Sequence, residues 1–259
     1  MTWGPDLVHG TALLSIRLTM VLVTAPMFSA KLLPMKIRTA TLLILTAALL
    51  PAALAGVVDT PRVTAVTILG EGVIGVVLGL GAAIFVAAAE SAGDMLAVQM
   101  GLSAGNVLDP LSNTQMPVIG QLLGLFVLAL ILAAGGHLVI LGSLARSLEL
   151  LPVGAPLNYE GGFLAAVSMM GRMFVLGLRF AAPVVAAMMI GNATMGIVAR
   201  TVPQLNVLMV AFPVQIAIGL FVLAAALPMI ATFFTGWPDG YVDLVSNVLE
   251  QLSLPRGGS

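Results

Sequence analysis

Charged side chains are scarce in this chain. Of its 259 residues, 10 are Lys or Arg and 11 are Asp or Glu, so 8% are charged, while 60% are hydrophobic. A soluble domain carries roughly 25% charged residues. So few charges do not cover the surface of a soluble protein of this length, which excludes that class. The chain must therefore be surrounded by lipid or by other protein.

Other absences exclude further classes of function. Cysteine is missing altogether, which excludes disulfides, thiolate metal sites and thiol nucleophiles. The formal net charge of −1 gives no positive field that would attract nucleic acid. Neither of the two histidines has a partner at metal-binding spacing, and the sequence has no phosphate-binding loop. We therefore expect no catalytic, cofactor-binding or metal-binding residues, and no enzyme activity.

Aromatic residues are also few. They make up 5% of the chain, and the two tryptophans, Trp3 and Trp237, lie near its ends. Multispanning proteins that face lipid on most sides carry belts of Trp and Tyr at both membrane interfaces. The thin belts here indicate that much of the surface faces other protein.

What the chain does contain is six long apolar segments. A membrane-spanning helix needs roughly 20 mostly apolar residues. Segments of this kind lie at 7–28, 39–58, 72–89, 117–142, 163–199 and 207–234, and the third would extend back to Val63 if Glu71 is tolerated. They predict an all-α membrane protein of about six long, partly kinked hydrophobic helices with no soluble domain. The basic residues Lys31, Lys36 and Arg38 predict that the first loop is cytoplasmic.

The segment at 163–199 is too long for a simple membrane span. Its 37 residues would form a helix of about 55 Å, whereas the hydrocarbon core is about 30 Å thick. We expect this helix to tilt, to kink at Pro183 or Gly191, or to leave the membrane.

Four charged residues lie inside apolar segments, namely Arg17, Glu71, Arg172 and Arg179. Each costs roughly 2.5–3.5 kcal/mol at the centre of a membrane helix, so none is expected to face lipid unpaired. Arg172 and Arg179 share one helix face, and the expected partners are carboxylates such as Glu71 and Glu90. Three interpretations stay open: structural ion pairs between helices or subunits, residues facing a protein-conducting lumen, and a proton or ion relay.

Glycines are concentrated around Glu71, in the sequence GEGVIGVVLGLG at 70–81. Gly75 and Gly79 are four residues apart, a spacing that lets the backbone of a second helix approach closely. We therefore predict tight helix packing at these two positions.

The order of these features resembles the FliR/SpaR/YscT family of export-gate proteins from flagellar and virulence type III secretion systems. The most specific stretch is RTVPQLNV, whose Arg200, Pro203, Gln204 and Asn206 match the family's R-x-x-P-Q-x-N-V pattern. The other matching positions are Arg17, Pro26, Pro34, Arg38, Glu71, Gly93, Gln99, Met100, Gly101, Asp109, Pro110, Gly135, Gly136, His137, Pro213 and Gly219.

The resemblance implies a division of the chain and a set of partners. Residues 1–150 would correspond to a FliP-like part with four hydrophobic helices, and residues 155–259 to a FliQ-like helical hairpin with a short C-terminal tail. Family members join FliP-type and FliQ-type subunits in the bacterial inner membrane at the flagellar basal body, with FlhB-type and FlhA-type proteins nearby. Part of the assembly lies on the periplasmic side, and unfolded export substrates pass through it.

The resemblance also implies a pore plug between the third and fourth hydrophobic helices. This loop falls at about 106–117, NVLDPLSNTQMP, and contains no aromatic residue. Plug contacts would therefore be aliphatic or made by methionine. The residues expected to form the plug are Val107, Leu108, Asp109, Pro110, Leu111 and Met116.

The function expected from the sequence is thus a non-enzymatic component of the flagellar export gate. The alternative is a secondary transporter of a small solute that uses Glu71 with Arg172 or Arg179. Such transporters often have inverted repeats in their two halves, whereas this chain divides into four spans and then two.

Overall fold

The computed structural model describes residues 5–29, 34–55, 62–102, 118–201 and 207–253. Within these ranges the chain is helical apart from short turns and connections. The helices are α1 (Pro5–Thr24), α2 (Pro26–Ser29), α3 (Met35–Ala55), α4 (Ala65–Gln99), α5 (Val118–Ala133), α6 (Gly136–Leu150), α7 (Tyr159–Thr201), α8 (Val207–Thr235) and α9 (Trp237–Ser253).

The prediction of an all-α membrane protein with about six long hydrophobic helices is confirmed. Among the described residues, five helices are long and apolar enough to cross a membrane, and α5 with α6 makes a sixth candidate if the bent pair counts as one span. The five spans are Leu7–Thr24, Met35–Ala55, Ala65–Gln99, Tyr159–Ile197 and Ala211–Thr235.

The breaks between helices differ from those expected. The apolar segment at 117–142 is divided into α5 and α6, which meet at an angle of 69°. Gly135 lies at this bend with a φ of 73°, in the left-handed region that glycine adopts without strain. By contrast, α7 is 43 residues long and continues through Pro183 and Gly191, so neither of them ends the helix. Internal prolines are tolerated in membrane helices because neighbouring groups satisfy the freed backbone acceptor.

Helix α9 was not among the six predicted segments. It is amphipathic rather than apolar, so counting uncharged runs did not reveal it, although its helical periodicity is clear. Its exposed face carries Asp239, Asp243, Asn247 and Glu250. Its buried residues are Trp237, Tyr241, Leu244, Val245, Val248, Leu249 and Leu252.

The chain forms two compact units. Unit 1 comprises Met1–Ile84, Ile131–Gly171 and Gly236–Ser259, and unit 2 comprises Phe85–Leu130 and Arg172–Thr235. In unit 1, α1 packs on α3, and α6 packs on α3 and α9. The division of the chain near residue 150 into FliP-like and FliQ-like parts stays a prediction.

Contacts of α9 complete unit 1. The hydroxyl of Tyr241 donates a hydrogen bond of 2.9 Å to the carbonyl oxygen of Leu78 in α4. Burial raises the pKa of Tyr241, so the phenol keeps the proton that it donates. At the other end of α9, the carbonyl oxygen of Leu252 accepts a 2.8 Å bond from the N–H of Asn158, just before α7. Helix α9 is therefore part of the core of this unit.

In unit 1, α1 and the first half of α4 approach closely because α4 has glycines there. A Cβ atom on Gly75 would overlap the carbonyl oxygen of Arg17, and one on Gly79 would overlap the side chain of Thr24. Both glycines are buried. The structure thus places Gly75 and Gly79 at a contact between two helices.

Unit 2 combines a glycine contact with an aromatic cluster. A Cβ atom on Gly93 of α4 would lie 2.6 Å from the Cα of Gly120 in α5, so the two backbones touch. The ring of Phe180 in α7 lies 5.2 Å from Phe233 and 5.7 Å from Phe234, both in α8. These rings contribute to the core of unit 2.

Replacing Gly75 with alanine should destabilise the protein, because the new methyl group meets the main chain of α1 rather than a movable side chain. Overpacking of this kind costs about 1–3 kcal/mol. The measurement is the apparent unfolding temperature in detergent.

Gly72→Ala is the matched control, since it makes the same change in the same helix where a Cβ would have nothing within 4 Å. Alanine favours a helix over glycine by up to about 1 kcal/mol, so this variant should be unchanged or slightly more stable. An equal fall in the apparent unfolding temperature of both variants would contradict the role of Gly75 in helix packing.

Candidate functional site

A buried ion pair joins α1 to α4. The Nε of Arg17 donates to Oε2 of Glu71 at 2.6 Å. The side chains are 0% and 2% exposed, respectively. Gly75 lies one turn after Glu71, and its lack of a side chain lets the backbone of α1 come close enough for this short contact.

The remaining groups of the pair bind two further parts of unit 1. Nη1 of Arg17 donates to Oγ of Ser147 in α6 at 3.1 Å, and Nη2 donates to the carbonyl oxygen of Leu151 at 2.9 Å. The second carboxylate oxygen of Glu71 accepts a 2.8 Å bond from the N–H of Gly154. We call these five residues the Arg17–Glu71 centre. It connects α1, α4, α6 and the segment after α6.

The end of α6 is suited to receive a cation. The last carbonyl groups of a helix have no partner within the helix and carry partial negative charge. Leu151 is the C-cap of α6, and its N–H bonds to the carbonyl of Ser147. The guanidinium of Arg17 therefore caps this helix while it pairs with Glu71. Gly154 has a φ of 81°, which allows the turn that brings its N–H to the carboxylate.

This geometry favours a structural role for the pair. Both carboxylate oxygens of Glu71 accept hydrogen bonds, and neither charged side chain is open to water. A proton relay needs a carboxylate that exchanges protons with water, which this burial opposes. Removing one partner of such a pair leaves an uncompensated buried charge. Among the described residues, no group of His, Asp or Glu side chains is arranged to hold a metal ion.

Arg172 and Arg179 are placed differently. Both are exposed on α7, and within the described part of unit 2 neither forms an ion pair. Of the two carboxylates expected as their partners, Glu71 is bound by Arg17 and Gly154, and Glu90 lies against Gly124 of α5. The expected partner of Glu71 was therefore wrong, because spacing along the sequence does not reveal which separate helices meet.

Several predicted positions lie outside the described residues. These are the six plug residues, Val107, Leu108, Asp109, Pro110, Leu111 and Met116, and three of the motif residues, Pro203, Gln204 and Asn206. Arg200 is described and lies exposed in the last turn of α7.

The end of α4, just before the predicted plug loop, is capped by glycine. Gly101 has a φ of 74°. Its N–H bonds to the carbonyl of Val98 at 3.1 Å, and the N–H of Leu102 bonds to the carbonyl of Ala97 at 3.0 Å. This pair of bonds is the Schellman arrangement, in which the residue after the helix takes a left-handed conformation. The match of Gly101 to the family pattern therefore has a local structural reason.

Comparison with known proteins places these residues in a family. The model of the family "Bacterial export proteins, family 1" matches residues 8–239. The chain belongs to this family. The matched region contains all five residues of the Arg17–Glu71 centre and ends at the start of α9.

Individual members of the export family align over most of the chain. The flagellar biosynthetic protein FliR of Escherichia coli K12 is 29% identical over 241 residues, which is 92% of each chain. That of Pectobacterium carotovorum is 29% identical over 239 residues, again 92% of each chain. The FliR of Bacillus subtilis is 35% identical over 164 residues, covering 62% of this chain and 63% of the relative. The family predicted from the sequence is thus confirmed.

Sequence reasoning missed three members of the Arg17–Glu71 centre, namely Ser147, Leu151 and Gly154. The sequence PVGAP at 152–156 signals a turn. The packing of α4 against α6 decides which carboxylate this turn contacts. No local sequence pattern reveals that packing. The free-energy cost of a charge in an apolar helix identified only Arg17 and Glu71 among the five residues of the centre.

Glu71→Gln should destabilise the protein strongly, because it leaves Arg17 buried without a carboxylate. Breaking a buried pair in this way costs about 3 kcal/mol or more. For a chain of this size, 3 kcal/mol corresponds to a fall of roughly 6–12 °C in the unfolding temperature measured in detergent. Glu71→Ala should lower the unfolding temperature further, since it also leaves the N–H of Gly154 without its acceptor.

Two variants control this test. Glu149→Gln removes an exposed carboxylate from α6 and should change stability by less than about 0.5 kcal/mol. The double variant Arg17→Met/Glu71→Met removes both charges and should recover much of the loss. A Glu71→Gln protein as stable as the original would refute the role given to the pair.

Proposed function

We propose that this chain is a component of the type III export gate of the bacterial flagellum, in the inner membrane. The family match over residues 8–239 carries the proposal. The relatives from E. coli, P. carotovorum and B. subtilis are all named flagellar biosynthetic proteins. Within the described ranges, five helices able to span a membrane are in keeping with a multi-pass protein of the flagellar apparatus.

In this proposal the chain helps to form a channel for unfolded export substrates and catalyses no reaction. The segment at 106–117 closes the channel at rest through Val107, Leu108, Leu111 and Met116, while Asp109 and Pro110 form its turn. Support comes from the residues on either side of the segment. Gly93 and Gly120 hold α4 against α5, and Gly101 caps α4. The described residues on either side of the segment, Leu102 and Val118, both belong to unit 2.

FliP-type and FliQ-type subunits are the proposed direct partners, with FlhB-type and FlhA-type proteins in the same apparatus. The surface of α7 supports a protein partner. Arg172 and Arg179 are exposed on this helix, although the span Tyr159–Ile197 that contains them is apolar. Each arginine would cost about 2.5–3.5 kcal/mol against lipid near the centre of the bilayer. Carboxylates of a neighbouring subunit would remove that cost.

The length of α7 supports displacement of part of the assembly to the periplasmic side. Its 43 residues correspond to about 65 Å, roughly twice the thickness of the hydrocarbon core. A large part of the helix must therefore lie beyond the core unless it is strongly tilted. Contact with other subunits would cover its apolar side chains there.

The alternative function, a secondary transporter of a small solute, is not favoured. It requires Glu71 to act with Arg172 or Arg179. Glu71 is instead held by Arg17 and Gly154 in unit 1. The family match also names export proteins.

Deleting residues 106–113 tests the proposed plug. The deletion should leave assembly with FliP-type and FliQ-type subunits intact and raise ion leakage through the resting complex severalfold, because apolar side chains no longer fill the channel. The measurement is ion conductance of the purified complex in lipid vesicles.

A substitution series separates plugging from general damage to the loop. Replacing Val107, Leu108 and Leu111 with serine should reproduce the leak, whereas replacing Ser112, Asn113 and Thr114 with alanine should not. If the deletion assembles normally and conducts no more ions than the intact chain, the plug assignment is wrong.

Charge reversal tests the proposed interface of α7. Arg172→Glu/Arg179→Glu should reduce co-purification of the FliP-type and FliQ-type subunits by at least about tenfold, which corresponds to 1.4 kcal/mol. Arg146→Glu, at an exposed arginine of α6, is the control and should leave the yield unchanged. Undiminished co-purification of the double variant would exclude these arginines from the interface.

A further inference from the structure

Two amide side chains meet between the apolar helices α7 and α8 in unit 2. Nε2 of Gln215 in α8 donates a 2.8 Å hydrogen bond to Oδ1 of Asn192 in α7. Both side chains are half-buried, and both residues lie in spans that are long and apolar enough to cross a membrane. We call this hydrogen bond the Asn192–Gln215 pair.

The contacts that surround this pair are apolar. A Cβ atom on Gly191 would lie 3.6 Å from Cδ1 of Ile218. Further along, the ring of Phe180 packs on Phe233 and Phe234. Residue numbers fall in α7 as they rise in α8, so the two helices run antiparallel. Hydrophobic contacts are non-directional, so they do not by themselves select one alignment of two apolar helices.

A shift of α7 along α8 by one turn would exchange one apolar contact for another. Opposite Gly191, the place of Ile218 would be taken by a residue four positions away on the same helix face. The two candidates are Val214 and Val222. The length of the connection at 202–206 permits such a shift. Pairing residue 191 with 222 instead of 218 moves the midpoint between them only from 204.5 to 206.5.

The Asn192–Gln215 pair has no such replacement. After a shift of one turn, Asn192 would face Ala211 or Gly219. Gln215 would face Met188 or Gly196. None of these side chains replaces an amide hydrogen bond, so each amide would lose its partner between apolar helices, where an unpaired polar group is costly. Polar pairs are the best-attested means by which a helix interface specifies its register.

We propose that the Asn192–Gln215 pair sets the register of α7 against α8, and that both residues are thereby positioning residues for the interface of α7 with a neighbouring subunit. The register decides the level along α8 at which Arg172 and Arg179 lie. A shift of one turn would move them by about 5.4 Å, which exceeds the length of an ion pair, about 4 Å. The second step rests on the proposed function, because the interface of these arginines is itself proposed.

Cysteine pairs report the register directly, because the chain has no cysteine of its own. Gly191→Cys is combined with Ile218→Cys for the observed register, and with Val214→Cys or Val222→Cys for the two shifted registers. The three α8 residues are all half-buried, so they are matched in exposure. In the full-length chain in lipid vesicles, the pair at 191 and 218 should form a disulfide at least tenfold faster than either other pair.

Removing both amides should abolish this preference. Asn192→Leu/Gln215→Met keeps the side-chain volumes similar, and the three rates of disulfide formation should then lie within about threefold of one another. Asn192→Gln/Gln215→Asn exchanges the two amides and should restore the preference. Thr194→Val is the control, since its hydroxyl bonds only within α7, to the carbonyl of Ile190, and it should leave the rates unchanged. A tenfold preference that persists in Asn192→Leu/Gln215→Met would overturn the proposal.

Co-purification tests the link to the interface. Asn192→Leu/Gln215→Met should reduce the yield of FliP-type and FliQ-type subunits at least threefold, and the amide exchange should restore it. If the disulfide rates become equal while the yield is unchanged, the role of the register in the interface is wrong. If the intact chain co-purifies with neither subunit, the proposed function fails, and the disulfide rates still decide whether the pair sets the register.

Discussion

The ion pair between Arg17 and Glu71 is the interaction on which the first unit of this protein depends. A charge inside an apolar helix is costly, so each of these residues requires the other, and the short Nε–Oε2 distance of 2.6 Å requires α1 and α4 to be close. Gly75 makes that approach possible because it places no side chain between the helices. The same guanidinium caps the end of α6 at Leu151. One residue therefore fixes the positions of three helices, and the α7 segment begins from the turn at Gly154 that the carboxylate holds.

The second unit is held by a different kind of contact. Glycines allow backbones or flexible side chains to touch at Gly93, Gly101 and Gly219, and phenylalanine rings pack around Phe180. Dispersion forces hold contacts of this kind together, so each contributes little free energy by itself. The atoms in such a contact exchange one apolar neighbour for another without exposing a charge. A charge-paired centre resists rearrangement because separating its partners leaves a charge buried. The two units thus differ in the energy that a local rearrangement would require.

The features that the sequence predicted are those with a local physical cause. Apolar length located the spanning helices, the cost of charge identified Arg17 and Glu71, and four-residue spacing identified Gly75 and Gly79. What it missed depends on contacts between distant segments, such as the acceptors of Arg17 and the partner of Glu71. Helix α9 was missed for another reason, since its alternation of polar and apolar residues interrupts every uncharged run. The bend at Gly135 has a local cause in its positive φ, but paired glycines in an apolar run do not by themselves specify an angle.

The positions of the few charged residues indicate what surrounds the chain. In unit 1 the intramembrane pair is satisfied within the chain, whereas Arg172 and Arg179 are exposed on an apolar helix. These two arginines are about 10 Å apart along a helix of about 65 Å. Hydrocarbon about 30 Å thick covers such a helix end to end only at a tilt of roughly 60° or more from the membrane normal. Hydrocarbon also does not solvate the guanidinium groups. Low charge content in this chain therefore does not mean that lipid surrounds it. The surface of α7 requires water or protein beside its arginines and an apolar neighbour along the rest of its length.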